Sequence, residues 1–127
     1  MKRNIDVIIC TNKKLIVLKK LVKQIFLQKG NFLIKIIIIH QHYSKSLFPD
    51  FLKSKKIIYK NIKKQNLSAA KNIGLKLATS DNICFLDDDV LIKNTYFADS
   101  LKFFKINKCD LLFSKIIQKN TNKPLSK

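Results

Sequence analysis

Three short runs of this chain, residues 5–10, 32–39 and 82–86, are apolar with almost no interruption. A strand wetted on one face alternates polar and apolar side chains. Runs that do not alternate read as strands buried on both faces, as parallel strands covered by helices are. The run 32–39 makes the point best, because four consecutive isoleucines follow its only polar residue, Lys35.

Between these runs the period changes. Over residues 13–28, Leu15, Leu18, Val22 and Ile25 fall at helical spacing with Leu21 beside them, while Lys14, Lys19, Lys20 and Lys23 lie mostly off that stripe. This predicts an amphipathic helix, with Gly30 as its stop. A second helix is expected after a cap at Asn66 or Ser68, with Ala70, Ile73 and Leu77 on one face. A third is expected after Asn94, with Phe97, Leu101 and Phe104 on one stripe. Residues 40–56 show no period and read as a loop with room for a helical turn; 56–59 and 110–113 read as short strands. Such alternation predicts an α/β protein, a mostly parallel sheet with helices on both faces. A length of 127 residues allows one domain, placed at residues 1–117 with a polar tail at 118–127.

The net charge is +18, from 26 Lys and Arg against eight acids, all of them Asp. Such a surface attracts nucleic acid, anionic lipid and phosphorylated ligands. The lysines are spread evenly, and Lys, Ile and Asn are abundant together, as AT-rich coding would produce. The aromatics sit in apolar periodic runs instead of on a basic face, so no specific nucleic-acid partner is expected. The basic stretch 13–28 favours peripheral contact with anionic lipid at the inner face of a membrane. Cys10, Cys84 and Cys109 form no close pair, which argues against a disulfide framework or a zinc knuckle. They read as small core residues of a cytoplasmic protein. No signal peptide is visible, and the longest apolar run is too short to span a bilayer.

Asp87, Asp88 and Asp89 follow the third apolar run directly. Adjacent carboxylates repel, so the run needs solvent or a cation. In an open parallel sheet, ligands bind beyond the carboxyl ends of the strands. Hard cations such as Mg²⁺ or Mn²⁺ take carboxylate oxygens and bridge them to phosphates. A strand ending in carboxylates is therefore a natural metal-diphosphate site; the competing reading is a solvated turn. His40 and His42 share one face if the strand continues through them. No third soft ligand is in view, so exposed imidazoles at a loop boundary are expected there.

The segment NLSAAKNIGLKLATSDNICFLDDDV, residues 66–90, resembles family-two glycosyltransferases, in which a small-residue helix with an A-R-N-x-G pattern leads into a strand ending in Asp-x-Asp. The matching residues are Ala70-Lys71-Asn72-Ile73-Gly74 and Asp87-Asp88-Asp89, and Val7-Ile8-Ile9-Cys10-Thr11 resembles the family's opening strand. The resemblance implies a Rossmann-like GT-A fold and a nucleotide-diphosphate sugar as donor. It implies that Asp89 binds a divalent cation, Mn²⁺ or Mg²⁺, with Asp87 near the ribose and helping the metal. Asp88 holds the variable middle position, Lys71 faces the nucleotide in place of the family's Arg, and Thr11 lies under the base. The acceptor would be a saccharide or a lipid-linked saccharide, in polysaccharide or glycoconjugate synthesis.

The chain departs from the family in three places. Thr11 runs into Asn12 without the usual Tyr. The second strand ends in His40-Gln41-His42-Tyr43 where the family places a base-reading acid. Only Asp99 and Asp110 follow the aspartate run, so the catalytic base and the acceptor half are expected to be absent, leaving the fold incomplete. A catalytically inactive nucleotide-binding or interaction module and a basic nucleic-acid-binding protein are the alternatives.

Overall fold

The runs 5–10 and 32–39 lie inside a parallel sheet, as their pattern requires, whereas 82–86 lies at its edge with Ile83 and Phe85 exposed instead of buried on both faces. The computed structural model describes residues 2–41, 48–63 and 66–112. Its strands are β1 (Arg3–Thr11), β2 (Phe32–His40), β3 (Ile57–Asn61) and β4 (Asn82–Leu86), all parallel, in the order β3-β2-β1-β4. Helices α1 (Lys19–Phe26), α2 (Leu67–Leu77) and α3 (Tyr96–Asn107) cover the two faces. This is the α/β Rossmann-like arrangement expected. β1 is central, running beside β2 from Arg3↔Phe32 to Thr11↔His40 and beside β4 from Ile5↔Asn82 to Ile9↔Leu86.

Alternate residues of β1 face opposite layers. Ile5, Val7 and Ile9 join Ile36, Ile38 and Leu86 against Leu18, Leu21, Val22 and Ile25 of the first helical segment and Phe97 of α3. Ile8, with Ile37 and Ile39, packs on Ala70 of α2, flanked by Ile73 and Leu77. Asn66 caps α2 as one of the two expected residues, its side chain accepting the Ala69 N–H at 3.1 Å.

Gly74 lets α2 approach β1. A Cβ there would stand 2.5 Å from Cγ2 of Ile8, an impossible separation. On the same face lies Asp6, 1% exposed. Its carboxylate accepts the N–H groups of Thr79 and Ser80 at 2.7 and 3.1 Å and the Ser80 hydroxyl at 2.8 Å, with the Lys35 ammonium at 3.4 Å. Burial disfavours this charge, but these donors outweigh it, and the carboxyl sits below its ordinary pKa. Asp6 thereby fastens the turn that leads from α2 into β4.

Four further expectations need correction. Residues 13–28 do not form one helix: a 3₁₀ turn, Leu15–Leu18, precedes α1. The three-residue period of that turn brings Leu15 and Leu18 inward together, and the β-branched Ile16 and Val17 face out. Gly30 is not the helix stop, since α1 ends at Phe26 with Leu27 as its cap; its φ of 126° serves the turn into β2. Residues 110–112 are not a strand, and Phe113 lies outside the described residues, as does the tail. Handedness disfavours a parallel strand there. The α1 face carries the right-handed return from β1 to β2, and the α2 face carries the opposite return to β4. α3 lies on the α1 face, so a right-handed return would lead from β4 back to the place β1 holds. Finally, the cysteines are free and only half-buried. Burial pushes the Cys84 thiol up to about 11, so it stays protonated at neutral pH.

Two substitutions test this packing. Helix propensity alone favours Ala over Gly by about 1 kcal/mol, yet Gly74→Ala is expected to destabilise the fold by about 1–2 kcal/mol in urea unfolding, because Ile8 must move. Asp6→Asn is expected to cost about 2–3 kcal/mol at pH 7. Because the folded-state pKa of Asp6 lies below the unfolded value, its contribution is complete above about pH 5 and fades as the pH falls through the lowered value. The parent should therefore lose stability more steeply than Asp6→Asn between about pH 4 and pH 2.

Candidate functional site

β1 and β4 are sequence-distant neighbours. The chain leaves β1 toward β2 on one side and returns to β4 on the other, which makes their carboxyl ends the switch point of the sheet. Thr11 ends β1 there, and Asp87, Asp88 and Asp89 follow β4 directly. The Thr11 hydroxyl donates to Oδ2 of Asp88 at 2.7 Å and accepts the Lys13 N–H at 3.1 Å. Nζ of Lys13 donates to the other Asp88 oxygen, Oδ1, at 2.9 Å. The hydrogen bond and charge of Asp88, with a further contribution from Asp89, raise the pKa of the Lys13 ammonium. Asp88, the middle position, is thus the carboxylate that ties the run to β1.

The loop that carries Lys13 is held from below. His40 is 2% exposed, not an exposed imidazole. Its Nε2 lies 2.9 Å from the Lys13 carbonyl, and Nδ1 lies 2.8 Å from the Tyr59 hydroxyl. A carbonyl only accepts, so Nε2 carries the proton, and in the neutral ring Nδ1 accepts from Tyr59. Both ring nitrogens are engaged within the protein, so His40 is no metal ligand here; His42 lies outside the described residues. On the other side of the run, Gln24 accepts the Ile92 N–H at 3.1 Å and Gln28 accepts the Phe97 N–H at 3.0 Å. α1 and the turn just after it thereby fix the segment that follows the aspartates.

Asp87 and Asp89 are exposed. Lys71 of α2 reaches over the Phe85 ring, with Nζ 5.7 Å from its centroid. Burial raises the Cys10 thiol pKa, with Lys71 opposing and Asp87 adding to the shift, so Lys71 and Asp87 share one flank of the site. Of the residues singled out in the sequence, Thr11 and Asp88 are in direct contact, Asp87 and Asp89 adjoin them, and Lys71 stands to the side. Lys13, His40 and Tyr59 were not anticipated in these roles. The only sequence signal for Lys13 was its place just past the first strand.

Among the described residues, no three His, Cys, Asp or Glu side chains converge as a cage for a metal ion. Two exposed carboxylates flanking a third fit a different arrangement. Mg²⁺ and similar ions use one or two carboxylates and take other oxygens from water and phosphate. The donor set suits a cation that arrives with a diphosphate, not one held by protein alone.

The support beneath Lys13 can be measured. His40→Leu should cost about 2–3 kcal/mol, since it takes the partner from the Lys13 carbonyl and leaves the Tyr59 hydroxyl only the long contact with Asn61, and Tyr59→Phe about 1 kcal/mol. Both should speed hydrogen exchange at residues 12–14 beyond any change in the centre of β1.

The family model for glycosyl transferase family 2 matches residues 6–126. No curated protein matches the chain. The match spans nearly all of the sequence, both strands of the switch point and the aspartate run: the chain belongs to glycosyl transferase family 2.

Proposed function

We propose that this glycosyltransferase domain binds a nucleotide-diphosphate sugar at the β1–β4 switch point and serves its transfer to a saccharide or lipid-linked acceptor. The observation that supports this most is the aspartate run at the end of β4, joined to Thr11 of β1 through Asp88. Asp89 and Asp87 are the ligands for a divalent cation, Mn²⁺ or Mg²⁺. Such a cation would neutralise charge developing on the departing diphosphate. Lys71 attracts the phosphates from the α2 side. Thr11 uses its hydroxyl on Asp88 and Lys13, so it shapes the floor of the nucleotide site through packing and loop position.

The same reading extends to a membrane surface. Ile16 and Val17 are 56% and 46% exposed beside Lys14, Lys19 and Lys20, and no acid stands between Asp6 and Asp50. This favours peripheral contact with anionic lipid. No helix among the described residues is long and apolar enough to cross a membrane.

A second reading, an inactive nucleotide-binding or interaction module, draws on the acids that follow the run. Asp99 is exposed and accepts the Thr95 hydroxyl at 3.0 Å in the first turn of α3, and Asp110 is exposed. Neither is positioned as a catalytic base by any contact to the site.

Calorimetry with UDP, GDP, CDP and ADP decides whether the donor site exists. At least one should bind in Mn²⁺ and lose at least about tenfold in affinity in a chelator, a change of about 1.4 kcal/mol. Asp89→Asn should remove the metal dependence. Equal binding in the chelator would leave the aspartates as a solvated turn. Release of nucleotide from a bound sugar conjugate separates the enzyme from the inactive module.

A further inference from the structure

We propose that Lys13 is a tethered counter-cation of the site, pairing with Asp88 when the donor is absent and with the donor's diphosphate when it is bound. The inference rests on the donor-site reading above and adds a residue and a direction of charge movement to it.

Three consecutive carboxylates at a strand end need positive charge close by. Among the described residues, the ammonium in salt-bridge distance of the run is that of Lys13, 2.9 Å from Oδ1 of Asp88. The second Asp88 oxygen is taken by Thr11. Asp88 is therefore fully paired by the protein, with a side chain only 13% exposed, whereas Asp87 and Asp89 face solvent.

Lys13 is built unevenly. Its main chain is clamped at both ends, the N–H on the Thr11 hydroxyl and the carbonyl on Nε2 of buried His40. Its side chain is 48% exposed, and among the described residues its ion pair is with Asp88. A fixed root and an exposed, flexible stem allow the ammonium to swing without moving the backbone. Lys71 lies on the α2 face, its ammonium over the Phe85 ring of β4. An anionic diphosphate arriving at Asp87 and Asp89 would meet the Lys13 ammonium, with that of Lys71 on the neighbouring α2 face.

The charges then balance in both states. Without donor, Lys13 offsets one carboxylate and hinders any free cation by repulsion. With donor, the accompanying divalent cation serves the carboxylates and Lys13 turns to the phosphate oxygens. Lys13 thus opposes metal alone and favours metal with diphosphate, which raises the coupling between the two ligands.

Opposite signs make the test specific. Free Mn²⁺ is counted by electron paramagnetic resonance, and binding of UDP, GDP, CDP and ADP in Mn²⁺ by calorimetry, for the parent, Lys13→Ala and Lys13→Arg. Lys13→Ala should bind Mn²⁺ alone about 3–10-fold more tightly, because a competing positive charge is gone. It should bind the nucleoside diphosphate in Mn²⁺ about tenfold more weakly. Lys13→Arg should stay near the parent in both. The backbone bonds of residue 13 survive either change, and an unaltered melting temperature confirms this. If Lys13→Ala shifts both affinities in one direction, or neither, while the parent binds nucleotide with metal, this inference alone is overturned. If the parent binds none of the four nucleotides in Mn²⁺, the donor-site reading fails and takes the inference with it.

Discussion

A carboxylate stands in the middle of the central strand, and the architecture depends on satisfying it. An unpaired buried charge costs several kcal/mol. Asp6 escapes that cost only because the turn after α2 closes over it with two N–H groups and a hydroxyl, and Lys35 adds its charge from β2. The turn so fixed is the entry to β4. Gly74, one turn before the end of α2, brings the helix close enough to β1 for this to happen. A single constraint therefore decides that β4 lies beside β1. That adjacency creates the switch point where the aspartates meet Thr11.

What the sequence revealed and what it hid follow from one distinction. Periodicity reports which side of an element is dry, so β1, β2 and the inward stripe of α2 were legible, while the apolar run of β4 hid its exposed face. It does not report how tightly a turn is wound, and the 3₁₀ start before α1 was missed for that reason. Leu111 and Leu112 are apolar, but strand formation needs a neighbour as well as a pattern, and β1 already holds the place a right-handed parallel return would reach. His40 shows the same limit at the site. Its identity suggested a ligand or an exposed ring, whereas its partners, Tyr59 and the Lys13 carbonyl, come from separate parts of the chain. The aspartate run was legible because both its chemistry and its place at a strand end were local. Lys13 was hidden among the surplus of lysines.

That surplus makes the few acids informative. In a chain of net charge +18, most lysines are solvated and contribute little individually. The Lys53–Asp50 pair is of this kind, exposed on both sides despite a 2.9 Å separation. Asp6 and Asp88 are different, because each is largely buried, accepts from a hydroxyl and is paired with a lysine. One pair secures the strand order, and the other secures the relation of the aspartate run to β1. The remaining run members, Asp87 and Asp89, are exposed in a protein whose field is strongly positive. Asp81, Asp99 and Asp110 are exposed as well, but singly; on the proposed reading the joint exposure of Asp87 and Asp89 is what draws a cation against the general trend.

The departures from the family pattern then connect with one another. The family places an acid at the end of the second strand, and this chain places His40, which turns inward and supports the Lys13 loop. The aromatic expected after Thr11 is missing, and Lys13 follows two positions later with its ammonium on Asp88. Each change removes a group suited to reading a base, and the second adds one suited to phosphate. On the proposed reading, recognition shifts from the base toward the diphosphate, whose charge is common to all nucleotide sugars. A site built this way draws its affinity from electrostatics and weakens with salt. On that reading it discriminates little among bases, because Lys13, Lys71, Asp87 and Asp89 all act through charge.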